Sequence, residues 1–375
     1  MADRPAPAPE DFDAFQTYEV EQRGENLCYI GEPLVPRDEV IREVWPVFRE
    51  AGYEVSLEYS DGEFMLVADP IDRGGIPTAN AVLFALTIVT TLWAGAIWFH
   101  VRDPFSTAII QGLPFAIGVL AVLGTHEFGH YIASRYYGVD ATLPYFIPMV
   151  PPFGTMGAVI RIKGQIPSRK ALFDIGAAGP IAGLIMTVIV TAIGFALPPV
   201  HVPDWVLSGP SIEVHFGYPL LLRAIAVAVG ERGVIYQDPV AVLLFQEGIG
   251  YSGKQVAMNP VVLAGWLGMF VTFLNLIPVG QLDGGHIVRA LVGPRQETFA
   301  AFVPGVLFLL AAYISLNGGN GSIWLFWGLL SAVFAYMGAA TPITDERLDA
   351  HRKAVGILTL VVGLLCFTPV PISLG

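Results

Sequence analysis

Hydrophobic and polar positions divide the chain into two unlike parts. Up to about residue 70 they change on a short scale. From Pro77 onward, apolar stretches of roughly 20 residues, the length that spans a bilayer, recur near 79–99, 112–134, 172–197, 258–278, 299–316, 321–339 and 354–371. This predicts a polytopic α-helical membrane protein with about seven transmembrane helices over 77–375. The intervening region 199–255 is mixed, and its short apolar run Tyr218 to Val229 reads as an interfacial helix.

Residues 143–170 break the pattern. Pro144, Pro148, Pro151, Pro152 and Pro167 alternate with Gly154, Gly157 and Gly164, so no spanning helix fits. The run Ala158-Val159-Ile160-Arg161-Ile162 is strand-like. Irregular backbone at membrane depth must be buried in protein or line a wet cavity, so these residues are not expected to cross the bilayer.

In the first part, Val40, Ile41, Val44, Trp45, Val47 and Phe48 lie at helical spacing, and Pro46 predicts that this helix is kinked or begins late. Tyr53 to Tyr59 and Phe64 to Val67 alternate as strands, joined by the turn Ser60-Asp61-Gly62-Glu63. Residues 28–76 are therefore expected to form a small soluble α+β domain. Residues 1–27, rich in Pro, Ala and acid, are expected to be a disordered acidic tail. The opening Met1-Ala2-Asp3-Arg4-Pro5 has no apolar core, so neither a secretory nor a transit signal is expected.

Composition sharpens the division. Of 375 residues 54% are hydrophobic and only 14% charged, against roughly 25% charged in soluble chains. The 41 glycines suit close helix packing, on which membrane proteins rely in place of water-driven burial. The net charge is −12, and residues 1–78, with 18 Asp/Glu against 6 Arg and no lysine, carry all of it. An acidic surface excludes nucleic-acid binding. An acidic, lysine-poor soluble part fits the screened, high-salt cytoplasm of a halophilic archaeon, with ordinary acidic composition as the alternative. Cys28 and Cys366 have no metal-ligand spacing and read as free thiols.

Arg135, Arg161, Lys163, Arg169 and Lys170 follow the second apolar stretch, Arg289 and Arg295 the fourth, and Arg347, Arg352 and Lys353 the sixth. The positive-inside rule puts these loops and the N-terminus in the cytoplasm and the C-terminus outside.

The candidate chemistry lies at the cytoplasmic end of the second stretch. His126, Glu127 and His130 form an H-E-x-x-H motif. On a helix, positions i and i+4 share a face, so both imidazoles can grip one metal ion, and Glu127 can take a proton from water there. A catalytic zinc needs three protein ligands and an open position. Asp283 is the best candidate for the third. It ends the run Asn275-Leu276-Ile277-Pro278-Val279-Gly280-Gln281-Leu282-Asp283 at the cytoplasmic end of the fourth stretch, at the same depth. His286 follows two glycines and reads as a local hydrogen-bonding residue, since a fourth ligand would fill the open position. Gly176, Gly179 and Gly183 are spaced for close helix approach. Asp174 reads as an interfacial anchor outside the site, and His100, His201, His215 and His351 have no partner spacing.

H-E-x-x-H in the second stretch with N-x-x-P-x-x-x-L-D-G after the fourth resembles the site-2 protease family of intramembrane zinc metalloproteases (peptidase M50). The long N-terminal domain, the Pro152-Phe153-Gly154-Thr155-Met156-Gly157 segment and the lack of an inserted PDZ domain resemble its archaeal and plant-plastid branch. The resemblance covers roughly residues 79–295. It implies one catalytic Zn2+ held by His126, His130 and Asp283, with Glu127 as general base and then acid. Asn275 would hold the substrate backbone or its developing oxyanion. Residues 143–170 would form a re-entrant loop or hairpin near the site, whose strand could pair with an unwound substrate. Partners would be the lipid bilayer and membrane-anchored protein substrates, cut in or near their transmembrane segments; nothing in the sequence gives an oligomeric state. The rivals are a seven-span transporter, which leaves the coincidence of the two motifs unexplained, and a non-proteolytic scaffold, which leaves the complete set unexplained. A prenyl-protein type of zinc protease, usually with a glutamate as third ligand, does not fit the Asn-to-Asp run.

Overall fold

The computed structural model describes residues 6–60, 62–71, 77–103, 106–207, 214–230 and 256–374. Its N-terminal unit is an antiparallel sheet of order β1-β2-β4-β3, built from β1 (Phe15–Arg23), β2 (Asn26–Pro33), β3 (Tyr53–Ser60) and β4 (Glu63–Pro70). Helix α1 (Arg37–Ala51) crosses one face and buries Val40, Val44 and Phe48 completely.

Two expectations are corrected here. The chain is ordered well before residue 28: Phe12, Ala14 and Phe15 are buried, and β1 pairs along β2. A few inward anchors suffice, because an edge strand needs only one packed face and tolerates charge on the other. Helix α1 begins at Arg37 and continues past Pro46, which excludes the late start of the two alternatives. The lost backbone bond is outweighed by three buried apolar side chains, each contributing roughly 1.5–3 kcal/mol. The hairpin reading holds, with Ser60 opposite Glu63 and Gly62 at φ +92°; Asp61 lies outside the described residues.

The second part is helical: α2 (Thr78–Trp98), α3 (Leu113–Tyr136), α4 (Arg169–Ala196), α5 (Leu220–Ala228), α6 (Pro260–Asn275), α7 (Asp283–Val292), α8 (Gln296–Leu316), α9 (Ser322–Met337) and α10 (Ala350–Leu365). Each expected apolar stretch carries a helix. Four helical runs among the described residues are long and apolar enough to cross a membrane: Thr78–Trp98, Thr107–Tyr136, Arg169–Ala196 and Asp283–Leu316. Helices α6, α9 and α10 have 16 residues each, about 24 Å, short of a hydrocarbon core of ≈ 30 Å. The expected seven spans are met at four by length.

Helices α3, α4 and α6 pack through glycines. A Cβ on Gly118 of α3 would lie 2.9 Å from Ala264 of α6, and one on Gly268 of α6 would lie 2.5 Å from Thr187 of α4. The pairing order makes α3 antiparallel to α4 and parallel to α6. Backbones this close gain dispersion contacts that larger side chains would forbid. Residues 143–168 form no helix. Strands β5 (Tyr145–Pro148) and β6 (Thr155–Val159) make an antiparallel hairpin instead. Helix α2 holds it: Asn80 donates to the Leu143 and Pro144 carbonyls, Thr90 to Gly154 and Trp98 to Pro152, at 2.6–3.0 Å. Thr90 shares the Gly154 carbonyl with the Met149 backbone N–H, so α2 adds to the bonds the hairpin makes within itself.

Candidate metal centre

Helix α3 brings His126 and His130 onto one buried face, with Nε2 atoms 3.2 Å apart. Asp283 arrives from the start of α7. Its two carboxylate oxygens lie 3.1 Å from His126 Nε2 and 3.2 Å from His130 Nε2. These three form the metal-ligand grouping found among the described residues, with donor atoms all within 4.8 Å of one another.

The trio fits a zinc ion. Zn–N distances of 2.0–2.1 Å on a tetrahedron imply ligand atoms about 3.3 Å apart, close to the separations here. The tautomer of His130 agrees. Its Nδ1 lies 2.7 Å from the Ile175 carbonyl. A carbonyl only accepts, so Nδ1 carries the proton and Nε2 turns a lone pair toward His126 and Asp283. Lone pairs facing one another in a buried place call for a cation between them.

The Asn275-to-Asp283 run has a local explanation. Asn275 ends α6, and its Nδ2 sits 3.2 Å from His126 Nε2. Residues 276–282 turn back without helix, Pro278 among them, and Gly280 adopts φ +41°, where a Cβ would meet the Phe334 carbonyl at 1.9 Å. Leu282 then precedes Asp283, the first residue of α7. At the far end of α7, Arg169 donates to the Ala290 and Leu291 carbonyls at 2.6 and 3.2 Å. A cation on the last turn satisfies orphan carbonyls, and here it also fixes the helix that begins with Asp283.

Helix α4 seats the imidazoles. A Cβ on Gly179 would fall 2.0 Å from His130 Nε2, one on Gly183 2.9 Å from His126 and one on Gly176 2.9 Å from His286. The glycine spacing led to the expectation that this helix packs against the metal-bearing helices, and the structure places it against the imidazoles themselves. His286 lines the cavity without joining the trio. Asp174, read as an anchor, receives both Arg352 Nε at 2.9 Å and Nη2 at 2.7 Å and accepts from the Tyr137 hydroxyl, tying α4 to α10 and to the end of α3. Nearby, Asp349 caps α10, and the Arg352 backbone amide holds its carboxyl down at about 2.

The trio opens onto a cavity of ≈ 170 Å3 lined also by Glu127, Asn275, Ala158, Val159, Ile160 and Ile162. Glu127 is buried, with Oε1 4.0 Å from His126 Nε2, and the Ile160 backbone N–H faces its carboxylate. Thr142 N–H donates to Arg161, and Lys163 N–H donates to Asp140. Backbone groups alternate sides along a strand, so those of Ala158, Ile160 and Ile162 turn toward the cavity.

Helices of membrane-spanning length around two buried histidines and a half-buried aspartate, with an acid beside them, define a membrane metalloprotein of hydrolase type. Residues 114–313, just over half of the chain, match peptidase family M50, and the chain belongs to that family. It is similar to proteins named "Probable zinc metalloprotease EGY2, chloroplastic" from Oryza sativa subsp. indica (27% identical, covering 70% of this chain and 43% of that one) and "Probable zinc metalloprotease EGY1, chloroplastic" from Arabidopsis thaliana (30% identical, 69% and 43%). A third, "Probable zinc metalloprotease EGY1, chloroplastic" from Oryza sativa subsp. japonica, is 29% identical over 92% of this chain and 63% of its own length. The chain thus spans less than half of the first two relatives. No solved structure matches it.

Proposed function

We propose that the chain is an intramembrane zinc metalloendopeptidase that hydrolyses peptide bonds in or near the transmembrane segments of membrane-anchored proteins. The observation that carries this is the convergence of His126, His130 and Asp283 on one point, with Glu127 beside them and a strand edge opposite. Membership of family M50 and the names of the relatives agree.

His126, His130 and Asp283 would hold the metal. Bound zinc would polarise the scissile carbonyl and acidify the attacking water. Glu127 takes the proton from that water and returns it to the leaving amine. Asn275 Nδ2 is aimed at the same space and steadies the substrate carbonyl as charge develops on its oxygen. A helical substrate hides its peptide bonds, so it must unwind. The outward backbone groups of Ala158, Ile160 and Ile162 offer an extended segment a ladder of hydrogen bonds beside Glu127.

The same reading completes the topology. Helices α2, α3, α4, α6, α8, α9 and α10 are the seven spans, with the 16-residue members accommodated by local thinning of the bilayer. The hairpin re-enters from the cytoplasmic side. The N-terminal domain is cytoplasmic, in surroundings whose high salt suits its acidic surface. The test is metal analysis of the purified protein together with cleavage of a model transmembrane substrate, with and without chelator. Stoichiometric zinc and chelator-sensitive cleavage are expected; cleavage that survives complete metal removal would refute the proposal.

A further inference from the structure

The N-terminal domain touches the hairpin at a specific place. Glu54, near the start of β3, accepts from the Gln165 backbone N–H at 2.5 Å, and Gln165 Nε2 donates back to the Val55 carbonyl at 2.9 Å. The same carboxylate is held from its own domain by Trp45 at 3.2 Å and Arg49 at 2.8 Å, and Glu54 is only 16% exposed. Gly164 leaves room for it, since a Cβ there would stand 3.3 Å from both carboxylate oxygens and from the Asp140 backbone nitrogen. Such charge-assisted bonds in a partly buried place are among the stronger ones a protein makes.

Gln165 is close in sequence to residues that face the proposed base. Ile160 and Ile162 line the cavity; beyond the β5–β6 pairing of 145–148 with 155–159, the arm is continued by an isolated bridge at Ala141–Ile162 and by backbone bonds from Thr142 to Arg161 and from Lys163 to Asp140. Helix α2 anchors the β5 side at Leu143 and Pro144 and the turn between the two strands at Pro152 and Gly154. The β6 side leaves the hairpin through Lys163, Gly164 and Gln165, where Glu54 takes hold. The domain therefore grips the arm that carries the strand edge, and among the described residues its hydrogen bonds reach none of His126, His130 or Asp283.

We propose that the N-terminal domain is a latch on this arm, with Glu54 as a positioning residue: when the latch is closed it fixes residues 158–163 for substrate, and when it is open the strand edge loosens while the metal stays bound. The link to substrate rests on the protease reading above; the mechanical link does not.

Two full-length variants test it. Glu54→Ala removes the carboxylate, and Gly164→Val wedges the contact from the hairpin side while leaving Glu54, Trp45 and Arg49 together. Hydrogen exchange in detergent or nanodiscs should show amides 158–163 exchanging about tenfold faster in both, equivalent to ~1.4 kcal/mol. Exchange in α3 and zinc content should be unchanged. Persisting protection in β2 and β4 marks a folded domain, and Glu54→Gln, which keeps an acceptor, should restore exchange to within about threefold. For an extended peptide substrate, KM should rise with kcat unchanged. Unchanged exchange at 158–163 in Gly164→Val with a folded domain overturns the latch, as does loss of zinc in either variant. If the exchange effect appears but the parent protein cleaves nothing, the latch stands and the protease reading falls.

Discussion

Replacing Gly179 by alanine should destroy the metal centre, although Gly179 donates no ligand. Its Cβ would arrive 2.0 Å from His130 Nε2, 2.2 Å from Cδ2 and 2.6 Å from Cε1, whereas ordinary contact begins near 3.4 Å. Something must move by about 1.4 Å, and metal–ligand distances tolerate only about 0.2 Å. Helix α4 cannot easily retreat. On the adjacent residue, the Ala178 carbonyl lies so close to Gly129 of α3 that a Cβ there would be 2.6 Å from it, and Asp174 is tied to Arg352. The imidazole must yield, losing its 2.7 Å bond to Ile175 as well. Loss of an outer partner of a metal ligand alone costs roughly 10–100-fold in affinity, and displacing the ring removes a ligand too, so zinc affinity should fall by more than about 100-fold. Gly183→Ala, whose Cβ would meet His126 at 2.9 Å, should cost less. Gly124→Ala is the control, because it lies on α3 with nothing within 4 Å and should leave zinc intact. Competition with a chromophoric chelator and metal analysis in detergent would measure all three. A Gly179→Ala protein that keeps stoichiometric zinc within threefold of the parent affinity would refute the reasoning.

Glu127→Gln should bind zinc as before and lose hydrolysis by at least about 10²-fold, the share of a general base; substantial cleavage would move the proton transfer to another group. Asp283→Ala should lower zinc occupancy together with activity, whereas His286→Ala should change occupancy by less than about threefold; equal losses would make His286 a ligand. Because α3 and α4 run antiparallel with only the hairpin between them, single cysteines in place of the exposed Arg135 and Lys170 should label from the same side of the membrane. Labelling from opposite sides would require a crossing between residues 137 and 168.

Much of the site was legible because its signals are local or follow from topology. The i, i+4 spacing of His126 and His130 needs only a helix. Asp283 needs only that α3 and α6 end at one level, which parity of the apolar stretches supplies. The strand-like run 158–162 showed in its β-branched residues but was placed late: β6 is Thr155–Val159, and Ile162 makes only an isolated bridge. What stayed hidden depends on partners far along the chain. Asp174 meets Arg352 across 178 positions and Glu54 meets Gln165 across 111, and neither pair has a spacing to betray it. Strand β1 was masked by its own composition: acid and proline dominate the window, while the ordering comes from a few anchors such as Phe12 and Phe15.

The glycines of α4 explain why site and fold cannot be separated in this protein. Within a bilayer, helices gain nothing by leaving water, so α3, α4 and α6 associate through close contact at Gly118, Gly194, Gly265 and Gly268. Further along the same face of α4, Gly179 and Gly183 leave space for imidazoles. Helix approach therefore sets the depth of the pocket that seats His126 and His130. A cation between these histidines and Asp283 would in turn bridge α3 to α7 across the turn that ends α6, adding a tie that dispersion alone does not supply. The consequence is directional. Damage to packing at Gly265 or Gly268 should weaken metal binding through the placement of α6 and Asn275, whereas loss of a ligand should leave the glycine contacts in place and the helices associated.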